Sequence, residues 1–375
     1  MSSSADATDA EARRAETLFE QAMAYKAEGH YRAALAAFRA AAELGHARAQ
    51  FQAGVFLTPE GGRGVIVSDP VEAVRYFRLA ADQGHVLAQV NLGTCLSDRD
   101  EAVRYYRKAA DAGNATAQAN LGVCYDRGNG VAKDPVEAVR YYRLAAAQGS
   151  PEAQTYLGTC YLEGIGVAAK DPIEAVRYFR LAAAQGSVNA QVMLGECFAD
   201  GDGVAKDPVE AVRYFRLAAD QGSAQAMYTL GCCYVRGDGV SESCSEAMAC
   251  FAAAADKGHL EAKFEVAQCY EYGRGVTKDE ARAVRCYRDL IVAIADSDDS
   301  DDLYIEPSCI AACTRLAQSR ELAATCCLGC GATRSATRKL KTCDRCHVAK
   351  FCSMACIRRA WPQHKPNCAL WCSTN

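Results

Sequence analysis

The sequence lacks any apolar run long enough to cross a bilayer: the longest, near DLIVAIAD, falls far short of the roughly 20 residues a membrane helix needs. Its first residues, MSSSADATDAEARR, contain no apolar core of a secretion signal. Charge of one sign is lacking too, since a formal net charge of -4 over 375 residues gives no overall attraction to nucleic acid. Together these absences predict an unanchored chain, cytoplasmic or nuclear and not secreted. A composition 50% hydrophobic and 23% charged suits a folded chain with a sizeable core. What the chain has in excess is cysteine, 21 residues. In a secreted protein that would indicate a disulfide framework, whereas a reducing compartment favours thiols and metal ligation.

The body repeats. KDPVEAVRYYRLAAAQGS (133–150) returns as KDPIEAVRYFRLAAAQGS (170–187) and KDPVEAVRYFRLAADQGS (206–223). Gly45, Gly84, Gly113, Gly149, Gly186, Gly222 and Gly258 close this element, most of them 36 or 37 residues apart. That period, with no alternating strand pattern between copies, predicts an all-α solenoid of stacked helix pairs. Asp134, Asp171 and Asp207 read as N-caps, each followed by proline and by a glutamate three residues on, a capping-box arrangement. Ser243 and Glu246 repeat it without the proline. The second helix of each pair (B) should stop at the recurring glycine in left-handed conformation. In the shorter first helix (A), Gly122, Gly158, Gly195 and Gly231 should let neighbouring helices approach closely, with Ala267 at that place in the last unit.

The pattern AQ..LG.CY..G.GV.KDP.EAVRYYRLAA..G resembles the Sel1-like repeat, a relative of the tetratricopeptide repeat, over residues 46–293. The resemblance implies an α-solenoid. Residues 10–45 look like a diverged tetratricopeptide-type helix pair capping the array, after a disordered stretch at 1–9. The second unit, LSDRDEAVRYY, lacks the glycine-rich loop and is seven residues short, so its helices must turn more tightly. An acidic linker is expected at 294–306, around DSDDSDD, and a connecting helix at 307–324.

Repetition also deflates several motifs. GNGV, GIGV, GDGV and GRGV contain half of a phosphate-binding loop but join helix to helix, not strand to helix. Cys95, Cys124, Cys160, Cys197, Cys233 and Cys269 recur one per repeat, about 10 Å apart by helix-packing distance, too far for disulfides; core packing is expected. The pairs Arg75/Arg78, Arg104/Arg107, Arg140/Arg143, Arg177/Arg180, Arg213/Arg216 and Arg285/Arg288 share a helix face, interrupted at Ala249 and Ala252. Stacked, they would form two basic columns suited to an acidic peptide; the plainer reading is a solvated face partly neutralised by nearby acids.

The tail runs from Cys327 as C-x2-C, twelve residues, C-x2-C, five residues, C-x3-C, seven residues, H-x3-C. Eight thiolate and imidazole donors make two tetrahedral zinc sites, and filling each with four protein ligands leaves no position for a catalytic water. The FCS..C....W..HK..C core resembles the MYND-type zinc finger, over residues 327–368. By that resemblance Cys327, Cys330, Cys352 and Cys356 hold one ion, while Cys343, Cys346, His364 and Cys368 hold the other. Cys326, His347 and Cys372 fall outside the register, and Cys309 with Cys313 reads as helix packing.

The resemblance further implies binding of short proline-containing peptides by a groove using an aromatic and a glutamine. Trp361 matches the aromatic, with packing of the finger core as its plainer role, and Ile357 stands where glutamine is usual. The expected function is an adaptor with no enzymatic activity, its solenoid holding one protein and its finger another. Two alternatives come from other classes. The basic residues of 325–375, Arg358 and Arg359 among them, could contact nucleic acid, although about three negative charges left by seven thiolates on two Zn²⁺ absorb part of that basicity. A RING-like ubiquitin-ligase cross-brace is the other, but its histidine usually sits mid-motif, not seventh among eight ligands. A methyltransferase would need a catalytic domain where the repeats lie.

Overall fold

The computed structural model describes residues 2–59, 61, 66–296, 341–342 and 350–351. Helices α1 (Ser2–Ala27) and α2 (Tyr31–Glu43) come first. Seven A/B pairs follow: α3 (Ala47–Phe56) with α4 (Pro70–Asp82), α5 (Val86–Cys95) with α6 (Arg99–Asp111), α7 (Ala115–Arg127) with α8 (Pro135–Ala147), α9 (Pro151–Glu163) with α10 (Pro172–Ala184), α11 (Val188–Asp200) with α12 (Pro208–Asp220), α13 (Ala224–Arg236) with α14 (Cys244–Asp256), and α15 (Leu260–Tyr272) with α16 (Glu280–Asp296). Strands β1 (Lys341–Thr342) and β2 (Lys350–Phe351) pair antiparallel, Lys341 opposite Phe351. The chain is an α-solenoid whose helix pairs divide into two compact units, Met1–Ala190 and Gln191–Asn375.

Two boundaries differ from expectation. Residues 2–9, expected to be disordered, belong to α1. Ala5, Ala7, Ala10 and Ala12 are strong helix formers, and propagating a helix already anchored by buried Ala15, Phe19 and Ala22 costs little. Residues 294–296, assigned to the linker, continue α16. The rest of that linker and the connecting helix 307–324 lie outside the described residues.

Each B helix starts as its sequence dictates: the Asp134 carboxylate accepts from the amides of Val136 and Glu137, and Pro135 occupies the first turn. Asp171, Asp207 and Ser243 cap the same way. The return bond of a capping box is absent. The Asp134 amide instead donates to the Tyr125 carbonyl at 2.8 Å, Asp171 to Tyr161 at 2.8 Å, Asp207 to Phe198 at 2.8 Å and Ser243 to Tyr234 at 3.0 Å. Each B-helix cap thus satisfies an orphan carbonyl of its own A helix, which leaves Glu137, Glu174 and Glu210 available to the arginines described below.

The G-x-G loops have a structural role. Gly128 ends α7 at φ 75° and Gly164 ends α9 at φ 79°, both left-handed. A Cβ on the second glycine, Gly130 or Gly166, would run into the backbone at the start of the preceding B helix, at Arg99 or Pro135. The short second unit joins α5 to α6 through residues 96–98 alone, the tight turn expected of it.

The A-helix glycines seat aromatic rings. A Cβ at Gly122 would lie 2.5 Å from Tyr142 Cε1, and one at Gly158 would lie 2.6 Å from Phe179 Cε1; Gly195 and Gly231 meet Phe215 and Phe251 alike. These rings are among the largest fully buried side chains of the described residues, together with leucines such as Leu121 and Leu157. The repeats also bury glutamines. Gln154 Nε2 donates to the Ala146 carbonyl, and its Oε1 accepts from Gln185 Nε2 at 2.8 Å. Gln50, Gln118 and Gln191 each accept from the glutamine that ends a B helix, Gln83, Gln148 and Gln221.

Candidate functional site

The finger residues Cys327, Cys330, Cys343, Cys346, Cys352, Cys356, His364 and Cys368, with Trp361 and Ile357, lie outside the described residues. What is described there is backbone pairing of 341–342 with 350–351, on either side of the segment carrying Cys343 and Cys346. Among the described residues no group of three His, Cys, Asp or Glu could hold a metal ion, and no helix is long and apolar enough to cross a membrane.

The repeat cysteines are mostly core. Cys160, Cys197, Cys233 and Cys269 are buried and Cys124 is half-buried. Burial pushes the thiols of Cys160, Cys197 and Cys269 up to about 11, so they stay protonated and are poor nucleophiles. Cys95 departs from the expectation and is exposed. It is the last residue of α5, in the unit whose connecting loop is missing.

The arginine columns are where the structure assembles recurring surface chemistry, and the two differ. In the first column Arg140, Arg177 and Arg213 pair with Glu137, Glu174 and Glu210 one turn earlier. Each guanidinium also lies over the next tyrosine ring: Arg140 is 4.1 Å from Tyr141, Arg177 4.2 Å from Tyr178 and Arg213 4.7 Å from Tyr214. The Arg177 hydrogen bond holds the Glu174 carboxyl below the usual range. This column is neutralised from within, as the plainer sequence reading had it.

In the second column the partners are neutral. Arg107 donates to Tyr125 Oη at 2.9 Å, Arg143 to Tyr161 Oη at 3.1 Å and Arg216 to Tyr234 Oη at 3.1 Å. Those tyrosines belong to the A helix of the following repeat, and the two columns are joined by stacked rings. Tyr125 stacks on Tyr141 at 5.7 Å and 9°, and Tyr161 on Tyr178 at 5.8 Å and 6°. The chemistry differs elsewhere: Arg78 pairs with Glu101 across repeats, and Ala249 and Ala252 interrupt the columns. The side chain of Arg288 lies outside the described residues.

Sequence reading missed the tyrosines that hold the second column and the buried glutamines. Both recur once per repeat, Tyr125/Tyr161/Tyr234 one residue after the core cysteine and Gln118/Gln154/Gln191 in the AQ dipeptide, so the period itself carried the signal. It also missed the A-helix caps. His46, His85 and His259 accept through Nδ1 from the amides of Ala49, Ala88 and Ala262, where Asn114, Ser150 and Ser223 serve in other repeats.

With helix pairs, seated rings and loop glycines in place, comparison with known proteins gives the class. The Sel1 repeat pattern matches residues 47–85, 87–114, 115–150, 151–187, 188–223, 224–259 and 260–288, and the chain belongs to the Sel1 repeat family. The MYND finger pattern matches residues 327–368, so the tail is a finger of a zinc-binding type. Among solved structures, a Sel1 repeat protein from Oxalobacter formigenes is 27% identical with a TM-score of 0.60, over 80% of this chain and 89% of that one. The protective antigen c5321 of uropathogenic Escherichia coli is 30% identical with a TM-score of 0.58, over 77% of this chain and 66% of its own length. Human histone-lysine N-methyltransferase SMYD3 is 41% identical over 58 residues, 14% of either chain. The chain therefore spans a small part of that enzyme's length and just under two thirds of the antigen's.

Proposed function

We propose that the chain is a non-enzymatic adaptor of cytoplasm or nucleus, whose solenoid holds one protein while its finger holds a short, proline-containing peptide of another. The observation that carries this reading is the union in one chain of Sel1 repeats and a MYND finger. A solenoid presents extended surfaces, and linking two binding modules raises the effective concentration for the second contact. The donor set fits zinc: seven thiolates and one imidazole suit a borderline-soft ion in two tetrahedral sites. We assign one ion to Cys327, Cys330, Cys352 and Cys356 and the other to Cys343, Cys346, His364 and Cys368, both structural. Trp361 supplies a large rigid apolar surface of the kind that forms binding hot spots, and Ile357 is the second candidate peptide contact.

The test is partner capture by the intact chain, by a chain lacking 327–368 and by Trp361→Ala at unchanged zinc content. The expected result is that the deletion and Trp361→Ala lose the same subset of partners, with slight salt dependence. Full retention of that subset by a zinc-loaded Trp361→Ala chain would defeat the peptide groove. Steep salt dependence with sensitivity to Arg358 and Arg359 would instead indicate nucleic acid.

A further inference from the structure

Helices α8 and α10 of the first unit repeat one exposed surface. On α8, Val136, Arg140, Arg143 and Leu144 fall on one side at helical spacing, and Val136 and Leu144 are 66% and 43% exposed. On α10, Ile173 and Leu181 take the two apolar places at 73% and 44%. Exposed branched aliphatics thus recur on both helices in register with arginines. Its positive charge survives selectively. Arg140 spends its charge on Glu137, whereas Arg143 and Arg107, which holds the same place on the preceding B helix α6, are exposed and held by tyrosine hydroxyls that neutralise nothing. A guanidinium fixed through one N–H keeps its other donors in a planar fork suited to a carboxylate, with its rotamer freedom already reduced.

We propose that this face of the first unit is a docking surface for an acidic, leucine-containing protein segment, its carboxylates meeting Arg107 and Arg143 and its apolar side chains covering Leu144 and Leu181. Charge complementarity selects that occupant: a purely apolar segment would leave the two fixed guanidiniums facing unpaired surface, and a polyanion without apolar groups would leave the aliphatics wet. The inference rests on the reading of the solenoid as a partner-holding module and assigns that module one face and one ligand chemistry.

The experiment uses the full chain and a fluorescein-labelled peptide repeating Asp-Glu-Leu, with its amide counterpart repeating Asn-Gln-Leu and a poly-dT oligonucleotide as controls. Anisotropy should show binding of the acidic peptide that weakens with salt, with the controls markedly weaker. Exposed charge pairs are individually weak, so removing two with Arg107→Ala/Arg143→Ala should weaken binding about tenfold. Leu144→Ser/Leu181→Ser, at exposed positions that leave helicity by circular dichroism unchanged, should weaken it by a similar factor. Equal binding of the amide peptide or of poly-dT would overturn the proposal, as would wild-type affinity in both double variants. Self-association of the chain abolished by Arg107→Ala/Arg143→Ala would assign the face to a second copy and refute it as well. Absence of peptide binding while the chain still captures partners through its solenoid would defeat this face alone, whereas loss of all solenoid-dependent capture would defeat the adaptor reading.

Discussion

Gly158→Ala puts the close approach of α9 and α10 to a direct test. The added methyl would lie 2.6 Å from Phe179 Cε1, 2.8 Å from Cδ1 and 3.1 Å from Cζ. Non-bonded carbons rest about 3.5–4.0 Å apart, so the ring must retreat by about 1 Å. Phe179 is fully buried, and retreat means displacing close-packed neighbours. Overpacking of this kind costs about 1–3 kcal/mol, against about 1 kcal/mol gained by alanine over glycine inside a helix. With three ring atoms obstructed the steric effect wins, and the expected net loss is up to about 2 kcal/mol. Phe179→Leu costs stability through a cavity, but in its background Gly158→Ala should become neutral or stabilising, a coupling of about 2 kcal/mol. Guanidinium unfolding followed by circular dichroism measures the loss. Hydrogen exchange in α9 and α10 checks that it is local, because repeat arrays need not unfold in one step. The last repeat is the control: Ala267 is buried beside Tyr287 with its methyl already accommodated, so Ala267→Gly should destabilise, by about 1 kcal/mol from helix propensity. A Gly158→Ala chain more stable than wild type, with no coupling to Phe179→Leu, would refute the ring-on-glycine account.

Gln154→Ala should cost about 1–3 kcal/mol by denaturant unfolding, because it removes two hydrogen bonds worth about 0.5–1.5 kcal/mol each, while the Ala146 carbonyl keeps the Gly149 amide and the Gln185 amide keeps the Leu181 carbonyl; a change under half a kcal/mol would mean water replaces it at no cost. His85 and His259 cap α5 and α15 through unprotonated Nδ1, and burial lowers both below the ordinary 6.5. The unfolded chain therefore takes up protons first, so their contribution is complete above pH 6.5 and falls as the pH drops below it, by up to about 1 kcal/mol per cap. His85→Asn/His259→Asn, which keeps a capping acceptor, should flatten that part of the stability–pH curve, and an unchanged curve would remove the histidines from the explanation. Elemental analysis should find two zinc ions per chain, with chelation unfolding the finger while the helical signal of the repeats persists; one ion or none contradicts the ligand assignment.

Local chemistry written in the sequence determined the helix pairs, their Asp-Pro starts and their glycine ends, because N-caps, fixed proline φ and left-handed glycine act over one helical turn. The Gly122 and Gly158 contacts were legible for a related reason: a glycine recurring once per helix has no use but proximity. The expected capping box failed on a longer-range competitor. The Asp134 amide found the Tyr125 carbonyl of the neighbouring helix, and the freed Glu137 turned to Arg140. Residues 2–9, expected to be disordered, extend a helix that Ala15, Phe19 and Ala22 anchor from further along the chain. Only tertiary structure decided the arginines. Two columns identical in charge and spacing became one neutralised by glutamate within its own helix and one held by tyrosines a repeat away, since stacking, not sequence distance, sets which hydroxyl Arg107 or Arg143 meets. The zinc ligands are the opposite case: cysteine and histidine at ligand spacing name their chemistry in the chain itself.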